Sequence, residues 1–371
     1  MKSFIHLTFL FLCFFFSMCT FQTTFFQEIN KQFINKNLII SPLSAYQILG
    51  LAANGANGQT LEQMLLALGN EDLEELNKIN IEILNNSKDF TTIEIANAIM
   101  TAFYPEEKFL NAALEYESTV EPLKSVNQVN NWCNLKTHGK IEKILDNFDP
   151  DTVMILLNAI YFKGIWAKEF PENRTLADNF YNFNDESKVT KKDFMSIQEY
   201  FNYYEDKEMQ SIELPYTKDS MSAIIILPNQ DIDINDFIQD LNDEKLQKII
   251  KRMNKEEVAL KLPKFELEFS SLLNEALKEM GMVDAFEKEK ADFTGIGDIK
   301  DLSVSRVIQK SYLKVDEKGT EAAAATVVDI TTESIHRYNE MNVNRPFLFM
   351  LRNKKFPQNY DMIFMAKIEE L

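Results

Sequence analysis

Cysteine, histidine, glycine and positive charge are all scarce in this chain, and each scarcity removes a class of chemistry. Of its three cysteines, Cys13 and Cys19 lie among the first twenty residues, so Cys133 stands alone in the remainder and no intrachain disulfide can form there. Only His138 and His336 lie beyond that N-terminal stretch. Cys133 and His138 are neighbours in sequence, but at five residues apart on a helix they do not face one another, and no third orienting group accompanies them. The ten glycines form no phosphate-cradling loop and no Gly-Ser elbow. Hydrolase and metal-enzyme chemistry therefore has no residues to use: the chain reads as a non-enzyme, with neither a metal nor a cofactor. Against 57 Asp and Glu there are 39 Lys and Arg, a net charge of -18. Such a surface repels phosphate backbones and acidic bilayers, which argues against nucleic-acid and membrane partners. The one modest basic run, Lys245, Lys248, Lys251, Arg252 and Lys255, reads as a solvated helix face before it reads as a polyanion patch.

Long apolar runs are missing too. Lys2 precedes an apolar segment from Phe9 to Phe16, followed by Ser17 and Cys19 where a signal peptidase would read. A membrane span needs roughly 20 apolar residues, and this run is shorter. Residues 1–20 therefore read as a secretory signal cleaved near Cys19 or Thr20, and the product as secreted and extracellular. The rival is an uncleaved anchor continuing through Phe21, Phe25 and Phe26. Asn85-Asn86-Ser87 and Asn173-Arg174-Thr175 are glycosylation sequons, short enough to arise by chance, and the terminal Ile368-Glu369-Glu370-Leu371 only faintly matches a retention tail.

What is present is a chain with 45% hydrophobic residues, ample for a core, and one stretch of unusual design. From Val315 to Ser334 the sequence reads VDEKGTEAAAATVVDITTES. Thr320, Ala322, Ala324, Thr326, Val328, Ile330 and Thr332 form one alternating set without a charge; Glu321, Ala323, Ala325, Val327, Asp329, Thr331 and Glu333 form the other and take every charge after Gly319. That is the two-residue period of a strand with one buried face. Composition alone favours a helix, because alanine is the best helix former. Gly319 and four consecutive alanines also give little intrinsic β propensity, so the segment suits a slot in an existing sheet better than an isolated strand.

EKGTEAAAAT, followed by NRPFLFML from Asn344 to Leu351, resembles the hinge and C-terminal signature of the serpins, with the reactive-centre loop, about 317–343, between them. The resemblance extends from about Phe25 to Lys367 in chain order. NLIISPLSAYQILGLAANGANGQTLEQMLLALG resembles the segment joining the second and third serpin helices, and Asn127 to Leu145 resembles the helix crossing the front of the main sheet. LNAIYFKGIW, within an apolar strand read from Val153 to Phe170, is close to the family's consensus for the central strand. Further landmarks are the hairpin from Ser211 to Pro228, EALKEMGMVDAF and VIQKSYLKVDEKGT. Helix is expected from Asp231 to Lys255, one strand from Leu262 to Ser270, and two closing strands at Pro346–Leu351 and Met362–Ala366. Asn70 to Lys88 reads as one acidic helix without a basic face, which argues against activation by heparin.

The resemblance implies an α+β fold, residues 21–371 forming one domain of about nine helices and three sheets. It also implies a monomeric suicide substrate that traps a serine endopeptidase of the chymotrypsin class covalently, by inserting the cut loop into the main sheet. A non-inhibitory member acting as carrier, chaperone or storage protein is the alternative. Carried over by position, the hinge comprises Glu317, Gly319, Thr320, Glu321, Ala322, Ala323, Ala324, Ala325 and Thr326. The network that governs sheet opening comprises Ser41, Ser44, Asn158 and Gln309, with glutamine where the family commonly has histidine. Trp166 marks the top of the slot. Counting from Glu317 at the family's spacing puts the scissile bond between Glu333 and Ser334; counting back from Asn344 puts it at Ile335-His336, and Arg337-Tyr338 would suit a trypsin-like enzyme.

Overall fold

The computed structural model describes residues 20–87, 93–217, 220–299, 301–320 and 338–371. Helix α1 (Phe21–Gln32) turns Phe21, Phe25, Phe26 and Ile29 to one buried face, as the helical period requires. The phenylalanines that could have extended an N-terminal anchor are thus core residues of the fold. Strand β1 (Leu38–Ile40) leads to α2 (Pro42–Ala53), whose Ser41 Oγ accepts the Ser44 N–H while Pro42 opens the first turn. Every residue of α2 is buried. Its small residues permit this: a Cβ on Gly50 would stand 2.9 Å from Asn80 Nδ2. Helices α3 (Gly58–Leu68) and α4 (Leu73–Ser87) follow, and among the fifteen residues of α4 Lys78 is the only basic one.

Strand β2 (Ile93–Thr101), α5 (Glu107–Glu115), β3 (Thr119–Pro122) and α6 (Val126–Lys136) precede the central strand β4 (Met154–Phe162). All nine residues of β4 are buried, and its alternation divides them between two cores. Met154, Leu156, Ile160 and Phe162 join the main core, whereas Ile155, Leu157, Ala159 and Tyr161 pack under α6 with Val129, Trp132 and Cys133. Covering on both faces explains why this strand reads as a continuous apolar run. It is shorter than the expected Val153–Phe170: the chain turns after Phe162 into the two-residue β5 (Gly164–Ile165), and Trp166 then bridges Tyr216.

Strands β6 (Leu176–Tyr181), β7 (Val189–Glu205), β8 (Met209–Pro215) and β9 (Met221–Pro228) come next, then helices α7 (Ile234–Gln239) and α8 (Asp243–Arg252). The helical sequence expected from Asp231 to Lys255 forms two short helices, because Asp240–Asn242 break the pattern and Asn242 caps a new start through its Oδ1 on Lys245 N–H. The single strand expected at Leu262–Ser270 is also divided. Leu262 and Pro263 end β10 (Asn254–Pro263) in one sheet, and β11 (Phe265–Leu272) begins in another, the chain crossing at Lys264. Helix α9 (Asn274–Glu279), β12 (Arg306–Val315), β13 (Gly319–Thr320), β14 (Asn339–Asn342), β15 (Phe347–Asn353) and β16 (Met362–Ile368) complete the described chain.

The described residues thus hold nine α-helices and three sheets, an α+β architecture. A nine-stranded sheet runs β1-β16-β15-β9-β8-β7-β10-β14 with β6 on β7, a five-stranded sheet runs β11-β12-β4-β2-β3, and β13 pairs with β5. In the five-stranded sheet the middle pair, β12 and β4, is parallel, while β11 and β2 flank it antiparallel. A parallel pair can admit one strand antiparallel to both of its members, and this is the geometric premise of the site.

The head of the parallel pair

Strands β12 and β4 are zipped from Arg306 opposite Ile155 to Tyr312 opposite Tyr161. Beyond Val315 the chain reverses within four residues, Asp316 N–H donating to Gly319 O at 2.9 Å and Gly319 N–H returning to Asp316 O at 3.2 Å. Gly319 lies at φ 146, and a Cβ there would fall 2.0 Å from Gly164 O, so glycine is required twice over. After this turn Gly319 and Thr320 pair antiparallel with Ile165 and Gly164. The sequence suggests Thr320 as the first side chain that has to turn inward on insertion. In the intact chain it is already inward, fully buried with Oγ1 2.9 Å from the Tyr216 hydroxyl.

Trp166 holds the turn from beneath. Its backbone N–H donates to Lys318 O at 2.9 Å, its indole Nε1 to Asp316 O at 3.0 Å, and its ring stacks on Tyr216 at 4.4 Å. Glu317 is the ionic fastening: Oε1 accepts from Thr175 Oγ1 at 2.8 Å and from Lys264 Nζ at 3.0 Å, and Phe170 N–H donates to its carbonyl at 2.8 Å. Burial works to raise the carboxyl's pKa, but the hydrogen bonds from Lys264 and Thr175 outweigh it and hold the group below its ordinary value.

Lower in the same pair, Ser41, Ser44, Asn158 and Gln309 meet in one buried cluster. Asn158 shares the core-facing side of β4 with Leu156 and Ile160's row and points at the start of α2. Gln309 uses both ends of its amide: Oε1 accepts Ser41 N–H at 2.8 Å, and Nε2 donates to Ser41 O at 2.9 Å and to Asn158 Oδ1 at 2.8 Å. Asn158 Nδ2 in turn donates to Ser44 Oγ and, at 2.6 Å, to Asn97 Oδ1 on β2. Asn97, Asn158 and Gln309 stand in register across three adjacent strands, so the network ties β2, β4 and β12 to one another and to α2. Sequence reasoning missed Asn97. The signal available was a single amide inside the otherwise apolar core of IEIANAIMT.

The remaining sequence-derived site residues divide simply. Glu321, Ala322, Ala323, Ala324, Ala325, Thr326, Glu333, Ser334, Ile335 and Arg337 lie outside the described residues. On the far side of them in sequence, β14 lies parallel to β10 with Asn339 opposite Val258. Cys133 is buried beneath the five-stranded sheet's outer face, and burial pushes its thiol up to about 12, the reverse of an activated nucleophile. Among the described residues no group of three His, Cys, Asp or Glu side chains could hold a metal, and no helix is long and apolar enough to cross a membrane. The basic run is interleaved with its own partners, Lys245 with Glu208 at 3.0 Å and Arg252 with the Tyr204 hydroxyl at 2.8 Å.

Comparison with known proteins returns one family. The model described as Serpin (serine protease inhibitor) matches residues 17–370. The leukocyte elastase inhibitor of Xenopus laevis is 35% identical over 338 residues, covering 85% of this chain and 89% of that protein. The native-state structure of the thermophilic serpin Tengpin superposes with a TM-score of 0.86 at 33% identity, covering 96% of this chain and 94% of the other. Human thyroxine-binding globulin, solved in complex with thyroxine, gives a TM-score of 0.85 at 24% identity over 96% of this chain and 99% of its own, a likeness of fold alone.

Proposed function

This chain belongs to the serpin family, and from that premise we propose that it inhibits a serine endopeptidase as a suicide substrate, trapping the acyl-enzyme by inserting its cut loop between β4 and β12. The observation that carries the reading is the seating of Gly319 and Thr320, already turned back antiparallel at the head of a parallel pair. Insertion would extend that short pairing downward. It must break the Gln309–Asn158 hydrogen bond and the ladder from Arg306 to Tyr312, and it replaces one strand interface with two. The alternating set Ala322, Ala324 and Thr326 brings only small side chains to the buried face. A bulky or charged hinge residue would stall there, because an unpaired charge taken into the core costs several kcal/mol or more.

Cleavage between Glu333 and Ser334 leaves twelve to fourteen residues to insert; at about 3.3 Å each they reach roughly 40–46 Å, against a molecule roughly 50 Å across. The attached enzyme is therefore dragged to the far end with no slack. The target is a protease of the chymotrypsin class, the inhibitor acts as a monomer released through the signal at residues 1–20, and the acidic α4 supports a mode of action independent of heparin.

One experiment tests the reading: incubation with a panel of serine proteases, then a denaturing gel and a melting curve. An inhibitor gives a detergent-stable complex and a cleaved form that melts higher than the intact one. Plain cleavage without either result, whatever the protease, would place the chain with the carriers, chaperones or storage members of its family.

A further inference from the structure

The sequence carries two glycosylation sequons, Asn85-Asn86-Ser87 and Asn173-Arg174-Thr175. Both acceptor asparagines are exposed, so exposure does not choose between them. What differs is the bond that each sequon's hydroxyl makes in the fold. Asn173 sits in a single 3-10 turn, Glu172–Arg174, on the surface between β5 and β6, and its side chain makes no hydrogen bond among the described residues. The turn is fastened on both sides of Asn173 to the hinge turn: Lys318 Nζ lies 3.5 Å from Glu172 Oε1, and Thr175 Oγ1 donates to Glu317 Oε1 at 2.8 Å. Leu176, 68% exposed, stands three residues on from Asn173, at most about 11 Å away along the chain. A bulky, solubilising group on Asn173 would meet solvent rather than core and would shield that apolar side chain.

The transferase that makes this modification reads the hydroxyl two residues after the acceptor, so a hydroxyl already held by the fold is lost to it. The partner of Thr175, Glu317, lies 142 residues further along the chain. At roughly 5–20 residues per second of synthesis, Thr175 waits about 7–28 s before that carboxylate exists. Ser87 has no such interval. Its Oγ donates to Ile83 O at 2.7 Å, four residues back in the same helix, α4, and that bond is available within about a microsecond of the helix forming.

We infer that Asn173 is the N-glycosylation site of this chain and that Asn85 is not modified. The reaction takes an oligosaccharide from a lipid-linked pyrophosphate donor. A bond forms between Asn173 Nδ2 and C1 of the first sugar, the bond from that C1 to the pyrophosphate oxygen breaks, the lipid pyrophosphate leaves with the electron pair, and the amide nitrogen gives up one proton. Thr175 then serves twice, first as the recognition hydroxyl and after folding as a donor to Glu317, and the glycan stands on the outer side of the hinge turn. The inference rests on the reading of residues 1–20 as a secretory signal.

The test is expression of the full chain in eukaryotic secretory cells, once with its own residues 1–20 and once with those replaced by a proven secretory signal, followed by peptide-N-glycosidase digestion, a denaturing gel and peptide mass spectrometry. One downward gel shift is expected, with the acceptor converted to aspartate in the peptide that spans position 173 and the peptide containing Asn85 unchanged. Asn173→Gln and Thr175→Ala should each abolish the shift, whereas Thr175→Ser and Asn85→Gln should retain it. Because transfer precedes folding, a variant that misfolds and stays in the cell still reports on a gel of the lysate. Absence of the shift with the replaced signal, or a glycan on Asn85 with either signal, would overturn the proposal. A shift seen only with the replaced signal would remove the reading of residues 1–20 and leave the choice of acceptor standing.

Discussion

Thr320 and Tyr216 meet inside the protein, Oγ1 to hydroxyl at 2.9 Å, although Thr320 belongs to a segment whose next residues form the exposed loop of the family. Desolvation pushes the Tyr216 hydroxyl's pKa well above the ordinary tyrosine value, so this contact joins two neutral groups at any physiological pH. Thr320→Arg would put a cation against that ring in a fully buried place, at a cost of several kcal/mol or more. The variant is expected to be cleaved as a plain substrate, and a denaturing gel reads this directly. A variant that still yields the detergent-stable complex would show that the seat does not govern insertion.

Gly319→Ala should unseat the same turn by another route, since the new methyl collides with Gly164 O at 2.0 Å and the backbone lies at φ 146. The cost is about 1–3 kcal/mol. Trp166 is the reporter: in a Trp132→Phe background its emission should shift to the red as the turn leaves the indole. Unchanged emission would mean that the turn tolerates a side chain.

Gln309→Ala leaves Ser41 N–H and Asn158 Oδ1, both buried, without a partner, while Ser41 O keeps the Ala45 N–H at 3.1 Å. Unsatisfied buried groups cost about 1–3 kcal/mol each, so chemical denaturation should show a loss of at least ~2 kcal/mol. Glutamine does not titrate, and the rate of inhibition should therefore show no step near pH 6.5 through this position. Gln309→His should introduce one, because a histidine there changes charge near that pH. A steep step in the natural protein that vanishes in Gln309→Ala contradicts the assignment.

The fastening of Glu317 to Lys264 and Thr175 predicts a pH dependence of stability. Its folded pKa is depressed, so its contribution is fully present above the unfolded carboxyl's pKa and is lost as pH falls through the folded value. Melting temperature should drop more steeply below about pH 4.3 in the natural protein than in Glu317→Gln. Parallel curves for the two proteins would remove Glu317 from the account.

Cleavage between Glu333 and Ser334 predicts a released C-terminal peptide that begins at Ser334, and mass spectrometry measures it. A peptide beginning at Tyr338 would move the bond to Arg337. That bond lengthens the inserted tether by four residues, roughly 13 Å, and would weaken distortion of the trapped enzyme.

Much of this molecule could be read from local pattern. The stripe of Phe21, Phe25, Phe26 and Ile29 announces α1, and the run of β4, apolar but for Asn158, announces a strand covered on both faces. Charged sequence hid as much. In β10 the strand opens on Asn254-Lys255-Glu256-Glu257, which continues the charged helical pattern running up to it and hides the start of the alternation Val258, Leu260, Leu262. Leu262–Ser270 alternates without interruption, yet Lys264 is where the chain leaves one sheet for another, and no local pattern marks that departure.

The amino-acid order alone determined which side chains face inward, because strand and helix periods are properties of neighbours along the chain. It also determined that the segment after Thr320 is too weakly β-prone to stand alone. Tertiary structure alone decided that β12 lies parallel to β4 and that Asn97 completes the row with Asn158 and Gln309. Those relationships join residues tens to hundreds of positions apart, and their free energy exists only once the intervening chain has folded to bring them together.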